Sequence, residues 1–172
     1  MIICLTGFMG IGKSTIAEKL SKHLFCKHID LDKAIEAAEK CSVEHIFDTK
    51  GESYFREAEE RNLREIILKN SDKVLVISLG GGALISQKNI ILLQENAFCI
   101  YLRASIETII SRLIHTKKSR PLIKNKTEEE LSTEIRRLFS LRESGYNVSA
   151  NYVLQTDNKN VNEILGEILR VI

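Results

Sequence analysis

The sequence predicts an α/β fold in which a parallel β-sheet carries helices on both of its faces. Strand-like and helix-like segments alternate along the chain of 172 residues. Strands that are separated by helices form parallel sheets. A glycine-rich run of the phosphate-binding type also stands between the first strand and the first helix, which is the context that such a run requires.

Each element has a local signal in the sequence. Residues 2–5 are a short apolar run typical of a buried strand, and residues 14–23 have helical spacing with Ile16, Ala17 and Leu20 on one side. The other four predicted strands end at Asp30 or cover residues 74–78, 98–102 and 152–154. Helices are also predicted in the segment that ends at Lys69 and near residues 90–95. A further helix begins after the N-cap Ser105, a long one follows a capping box at Thr127, and the last covers residues 161–172.

The composition favours a single domain over residues 1–172. A hydrophobic content of 44% is enough for one core, and one Pro and nine Gly leave few linker signals. The first predicted strand lies at the start of the chain, and neither a signal peptide nor an apolar run near the roughly 20 residues of a membrane helix is recognisable. The net charge of +2 is too small to indicate a nucleic-acid partner.

The cysteines indicate a reduced protein of the cytoplasm. Cys4, Cys26, Cys41 and Cys99 are scattered along the chain and form no C-x-x-C pair. Cys4 and Cys99 lie in predicted strands, where we expect them to be small core residues.

The run GFMGIGKS at residues 7–14 matches the pattern G-x-x-x-x-G-K-[ST] of a P-loop. Gly10 and Gly12 let backbone N–H groups turn towards an anion, because no Cβ blocks its approach. The following helix directs its positive N-terminus at the same place. Lys13 supplies a charge for the β- and γ-phosphates of a nucleotide, and the Ser14 hydroxyl can ligate Mg²⁺. The alternative is a glycine turn without a ligand.

Two acidic residues stand at the end of the second predicted strand. Asp30 and Asp32 lie in the run HIDLD, before a helix that is predicted to begin near Lys33. Ligands of open α/β sheets bind beyond the carboxyl ends of the strands, so both carboxylates are expected to face the phosphates. One can hold Mg²⁺ through water, and the other can take a proton from an acceptor hydroxyl. The alternative is helix capping by Asp32.

Three glycines, Gly80, Gly81 and Gly82, follow the third predicted strand. In many P-loop proteins such a strand ends in the aspartate that binds the metal. Because that aspartate is missing here, we assign the metal carboxylate to Asp30. Glycines at a strand end also let a ligand approach the backbone closely. The alternative is a flexible turn.

Arginines mark three further places. Arg56 lies on a strongly charged predicted helix, and Arg142 lies near the end of the long helix that follows Thr127. Arg112 precedes a basic loop that contains Arg120. A basic loop opposite a P-loop is typical of a lid that clamps a transferring phosphate. Each arginine also has an ordinary interpretation, as a solvated charge or as a cation near a helix C-terminus.

Together these motifs resemble those of the shikimate kinases. The similar runs are GFMGIGKST, IDLD, GE-x-x-FR-x-x-E, SLGGGA, R-x₇-RPL and LRESGY, which follow in this order between residue 2 and about residue 155. The resemblance implies a five-stranded parallel sheet in the order 2-3-1-4-5. It also implies that MgATP phosphorylates the 3-hydroxyl of shikimate, a step of chorismate and aromatic amino-acid biosynthesis.

The resemblance further implies a role for each site residue. Asp32 would bind and activate the acceptor hydroxyl, with Lys13 and Arg120 as the other catalytic residues. Ser14 would ligate Mg²⁺ directly, and Asp30 would hold it through water. The residues expected to bind ATP are Gly10, Ile11, Gly12, Lys13, Ser14, Thr15, Arg112, Arg120 and, near the adenine, Lys159. The residues expected to bind shikimate are Asp32, Phe55, Arg56, Gly80, Gly81, Gly82 and Arg142.

The resemblance also implies how the chain is organised and what it binds. Residues of about 33–61 would form shikimate-binding helices, and residues of about 113–126 would form the lid. One Mg²⁺ ion would be the cofactor, and shikimate and ATP would bind to a monomer without nucleic acid or membrane. Two alternatives stay open. One is a kinase of the same build for another small polyol or a nucleotide, and the other is a nucleotide-binding regulatory module without catalysis.

Overall fold

The computed structural model describes residues 1–115 and 127–172, in which strands and helices alternate as the sequence predicts. The strands are β1 (Ile2–Thr6), β2 (Lys27–Asp30), β3 (Leu75–Ser78), β4 (Phe98–Arg103) and β5 (Tyr152–Gln155). The helices are α1 (Lys13–His23), α2 (Leu31–Glu39), α3 (Val43–Lys69), α4 (Gln87–Asn96), α5 (Ile106–Ile114), α6 (Glu128–Ser149) and α7 (Val161–Val171). A short 3₁₀ turn at Ala83–Ile85 follows the glycine run.

The five strands form one parallel sheet in the order β2-β3-β1-β4-β5, which confirms the predicted fold class. The central strand β1 is buried at every residue and pairs with β3 on one side and β4 on the other. Because all strands run in the same direction, the carboxyl ends of β2, β3 and β1 lie at one edge of the sheet. The segments that follow these three strands therefore meet at that edge.

The core is built from aliphatic side chains on the sheet and the inner faces of the helices. Cys4 and Cys99 are register partners in β1 and β4 and are fully buried, as expected of small core residues. A hydrogen bond with Cys99, together with burial, raises the pKa of the Cys4 thiol well above its usual value. All four cysteines are free thiols. No helix within the described ranges is long and apolar enough to cross a membrane.

The start of α2 differs from the prediction. The helix begins at Leu31 rather than near Lys33, and its N-cap is Asp30, whose carboxylate accepts a hydrogen bond from the Lys33 backbone N–H at 3.3 Å. The capping alternative weighed for Asp32 was therefore assigned to the wrong aspartate. Asp32 lies in the first turn of α2, where its side chain does not cap the helix.

Local signals set two other helices. Thr127 and Glu130 form the predicted capping box at the start of α6, and Ser105 caps α5 through a hydrogen bond from the Thr108 backbone N–H. In α3 the helical backbone is interrupted at Gly51, whose φ of 81° belongs to the left-handed region that favours glycine.

The helix α6 approaches the turn after β3 closely at Gly145. A Cβ at this position would overlap the backbone oxygen of Leu84 and lie 3.2 Å from its carbonyl carbon. Gly166 in α7 is a matched contrast, because a Cβ there would meet nothing within 4 Å. Packing against the Leu84 backbone therefore requires a glycine at position 145, whereas position 166 has room for a side chain.

We expect Gly145→Ala to lower the free energy of unfolding by about 1–3 kcal/mol, because the added methyl group pushes α6 away from the turn. The control Gly166→Ala should raise it by about 0.5–1 kcal/mol, because alanine is the better helix former. Urea unfolding followed by circular dichroism measures both. Equal effects of the two substitutions would contradict the close contact at Gly145.

Candidate active site

The run after β1 adopts the conformation of a P-loop. Gly7, Gly10 and Gly12 have φ values of 135°, 81° and 96°, which other residues rarely adopt. The ammonium group of Lys13 donates hydrogen bonds to the carbonyl oxygens of Gly7 and Phe8, both at 2.8 Å. Gly12 provides no side-chain cap for α1, so the first N–H groups of the helix are available to an anion.

Two neighbouring cavities open at the edge of the sheet. The first, which we call the P-loop cavity, has a volume of about 300 Å³ and is lined by Gly10, Gly12, Lys13, Ser14, Thr15 and Asp30, among others. The second, which we call the arginine cavity, has a volume of about 310 Å³ and is lined by Phe55, Arg56, Glu59, Gly82 and Arg142, among others. Met9, Asp32, Gly80 and Gly81 line both cavities. A ligand in either cavity therefore faces Asp32.

The surroundings shift the pKa values of the two aspartates in opposite directions. Burial would raise the pKa of Asp30, but hydrogen bonds from Ser14, the Lys33 backbone and Ser78 outweigh it, and the pKa lies below its ordinary value. The Ser14 and Ser78 hydroxyls lie 2.6 Å and 3.0 Å from the same carboxylate oxygen. Burial raises the pKa of Asp32, and the nearby charge of Asp30 adds to the effect. Two carboxylates whose pKa values are pushed apart are typical of a site with divided roles.

Arg56 is fixed in the arginine cavity by two carboxylates of its own helix. Its guanidinium donates to Glu59 at 2.7 Å and to Glu52 at 3.0 Å, and it lies over the Phe55 ring at 5.2 Å. The same group lies against Gly82, where a Cβ would overlap it. A side chain at position 82 would therefore displace the Arg56 guanidinium from its present position.

Arg142 approaches the same cavity from α6. It is almost completely buried, its guanidinium lies over the Phe8 ring at 5.6 Å, and its Nε has no hydrogen-bond partner within the described ranges. Burial lowers the pKa of Arg142, and the like charge of Arg56 acts in the same direction. A guanidinium nevertheless stays protonated in proteins. The cavity therefore contains two cations, one of which has an unsatisfied donor.

Glu59 is a site residue to which sequence reasoning gave no role. Its side chain is 1% exposed, and Oε1 has no hydrogen-bond partner within the described residues. Burial raises the pKa of Glu59 to about 7, although Arg56 opposes this. A Cβ on Gly80 would lie 2.9 Å from Glu59 Oε1 and 2.8 Å from Asp32 Oδ1. The sequence could have identified Glu59 by its position three residues after Arg56, because a helix brings side chains at this spacing together.

The remaining predicted site residues lie in several parts of the structure. Arg112 reaches the P-loop, where it donates to the backbone oxygen of Ile11 at 3.5 Å, while the Ile11 side chain is buried in the core. Lys159 pairs with Glu167 of α7 at 2.5 Å. Arg120 and most of the predicted lid lie outside the described residues. Phe55 packs against Phe47 with ring centroids 4.9 Å apart and lines the arginine cavity.

The sequence of this chain is similar to those of known shikimate kinases. Residues 9–172 match the family model described as shikimate kinase. A shikimate kinase of Flavobacterium johnsoniae is 39% identical over 99% of this chain and 98% of its own length.

Solved structures agree with the sequence match. A shikimate kinase from Acinetobacter baumannii in complex with shikimate has a TM-score of 0.89 and 29% identity, covering 99% of this chain and 91% of that one. A shikimate kinase from Bacteroides thetaiotaomicron has a TM-score of 0.88 and 28% identity, covering 99% and 97%. This chain belongs to the shikimate kinase family.

Proposed function

We propose that this protein transfers the γ-phosphoryl group of ATP to the 3-hydroxyl of shikimate, giving shikimate 3-phosphate and ADP. The observation that carries the proposal is the pair of guanidinium groups, half-buried Arg56 and buried Arg142, in a cavity that meets the P-loop cavity at Asp32. Two cations with an unsatisfied donor suit a carboxylate, which shikimate carries. The reaction belongs to the biosynthesis of chorismate and aromatic amino acids.

On the phosphate side, the backbone N–H groups from Gly10 to Thr15 and the ammonium of Lys13 bind the β- and γ-phosphates. Lys13 is well suited because its hydrogen bonds to Gly7 and Phe8 fix its ammonium across the loop. Arg112 flanks the nucleotide from α5, next to Ile11. We propose that a lid of about 113–126 brings the Arg120 cation to the transferring phosphate. We also propose that Lys159 lies near the adenine.

The residues at the rim of the P-loop cavity fit a magnesium ion. Ser14 and Asp30 provide a hydroxyl and a carboxylate 2.6 Å apart, and oxygen ligands are those that Mg²⁺ prefers. Ser14 would ligate the ion directly, and Asp30, whose pKa is lowered, would hold it through water as a carboxylate. When bound, the ion neutralises charge on the β- and γ-phosphates.

On the acceptor side, Arg56 and Arg142 bind the carboxylate of shikimate, and Phe55 packs against its ring. Gly81 offers its backbone N–H to the substrate, in a glycine run whose lack of side chains permits close approach. Asp32 accepts the proton of the 3-hydroxyl as that oxygen attacks the γ-phosphorus in line with the leaving oxygen. Helices of about 33–61 would thus form most of this side of the site.

We also propose the cellular setting. The four free thiols suit a reducing compartment such as the cytoplasm. We propose a single unit over residues 1–172 that works as a monomer with shikimate and ATP as its partners, without nucleic acid or membrane. The net charge of +2 gives it no strong attraction to either.

The direct test of the proposed function is ADP release from MgATP with shikimate, with gluconate, with a nucleoside monophosphate and without an acceptor. We expect release that depends on shikimate and a product with phosphate on the 3-oxygen, which ³¹P NMR identifies. Faster turnover with another acceptor would favour a related kinase. Binding of ATP without transfer to any acceptor would favour the regulatory module.

Replacement of the acceptor base should slow the chemical step. We expect Asp32→Asn to lower kcat by about a hundredfold or more, the usual loss for a general base, whereas Asp72→Asn in an exposed turn should leave it unchanged. The wild type should lose activity as the pH falls through the raised pKa of Asp32, above the ordinary value of about 3.9. Steady-state kinetics against pH measure both effects. Near-normal turnover by folded Asp32→Asn would contradict the role.

Removal of a cation from the arginine cavity should weaken shikimate binding selectively. We expect Arg56→Ala to cost roughly 1.5–3 kcal/mol of shikimate binding, which is about tenfold or more, because a charged hydrogen bond is lost. Arg61→Ala is the control on the same helix, since Arg61 is 53% exposed and pairs with Glu39 outside the cavity. Calorimetric titration with shikimate and with ATP measures the change. Equal losses for the two ligands would contradict the assignment.

A further inference from the structure

The carbonyl groups of the glycine run are held in two different ways. Gly80 accepts a hydrogen bond from the Ala83 N–H at 3.2 Å, and Gly82 accepts one from the Ile85 N–H at 3.1 Å, so both bonds belong to the local turn. The Gly81 carbonyl instead accepts a hydrogen bond from the hydroxyl of Tyr146, 65 residues further along the chain. This bond ties the glycine run to α6.

The hydroxyl of Tyr146 has a fixed position. The side chain is fully buried, and its ring lies 5.1 Å from the Tyr101 ring with 36° between the planes. The preceding residue, Gly145, lies directly against the Leu84 backbone. Neither the tyrosine ring nor this part of α6 can move without disturbing the core.

The hydrogen bond from Tyr146 fixes the orientation of the whole peptide group between Gly81 and Gly82. A trans peptide is planar, so the Gly81 carbonyl and the Gly82 N–H point in opposite directions within one plane. Glycine residues have the widest backbone freedom, and the Gly81 carbonyl is held by a contact from outside the local turn. By holding the Gly81 carbonyl, Tyr146 orients the backbone that lines the arginine cavity.

The same helix carries one of the two cations of that cavity. Arg142 precedes Tyr146 by one helical turn, and its guanidinium lies 3.7 Å from the position of a Cβ on Gly81. On the other side, Arg56 lies against Gly82. The spacing between the glycine backbone and Arg142 is therefore set within α6, by the distance from Arg142 to Tyr146.

We propose that Tyr146 is a positioning residue of the acceptor site, whose hydroxyl holds the glycine backbone at the spacing from Arg142 that shikimate requires. The inference rests on the proposed function, since it names shikimate as the ligand of the arginine cavity. Tyr146 acts through Gly81 and through the interaction of its hydroxyl with the Arg142 guanidinium, and it needs no contact with either substrate.

The test compares Tyr146→Phe with Tyr101→Phe. The first removes the hydroxyl that holds Gly81, and the second removes a buried hydroxyl of the adjacent ring that has no hydrogen-bond partner within the described residues. We expect Tyr146→Phe to raise the KM and the dissociation constant for shikimate about three- to tenfold, the usual effect of one hydrogen bond, with little change in the KM for ATP. Tyr101→Phe should change none of these constants.

A second measurement is independent of the substrate. In the free protein, Tyr146→Phe should shift the NMR amide signals of Gly81 and Gly82 and speed their hydrogen exchange, whereas Tyr101→Phe should not. Unchanged glycine signals, or equal loss of shikimate affinity in both variants, would overturn the inference. Failure of the wild type to phosphorylate shikimate would count against the proposed function, while the glycine signals would still decide whether Tyr146 positions the run.

Discussion

The parallel pairing of β2, β3 and β1 is the constraint on which the site depends. Asp30, the last residue of β2, is the register partner of Ser78, the last residue of β3, and Ser78 is in turn paired with Leu5 of β1. The P-loop, the aspartates and the glycine run therefore lie at the carboxyl ends of neighbouring strands, at one edge of the sheet. The Ser78 hydroxyl adds a direct bond to Asp30. The pairing of these strands therefore sets the distance between the P-loop cavity and the arginine cavity.

The charged side chains give the two cavities different electrostatic properties. Hydrogen bonds keep Asp30 ionised beside Ser14, whereas burial raises the pKa of Asp32 at the boundary. Arg56 is partly neutralised by Glu59, and Arg142 has no ion pair with any described acidic residue. Such a set of cations is costly to bury without an anion. In the proposed function, an anionic acceptor relieves that cost, so the affinity of the arginine cavity depends on the charge of its ligand.

Sequence patterns predicted the fold and suggested members of the candidate site, but they did not predict the contacts between distant segments. The P-loop spacing and the strand ends are local signals, so Lys13, Asp30 and Gly80–Gly82 could be proposed as members of the candidate site, whose two cavities they line. Capping of α2 was considered only for Asp32 and not for Asp30, because the helix was predicted to begin near Lys33 and helix boundaries are poorly marked in sequence. The contact between Tyr146 and Gly81 joins distant segments through packing, and no local pattern predicts it.

The central claim is that one ligand bridges the two arginines and Asp32 while the nucleotide fills the P-loop. A crystal structure with shikimate and a non-hydrolysable ATP analogue tests it most directly. We expect the shikimate carboxylate between Arg56 and Arg142, and the 3-hydroxyl roughly 2.6–3.2 Å from the Asp32 carboxylate on the side of the γ-phosphate. A carboxylate bound away from both arginines, or a 3-hydroxyl turned away from Asp32, would contradict it.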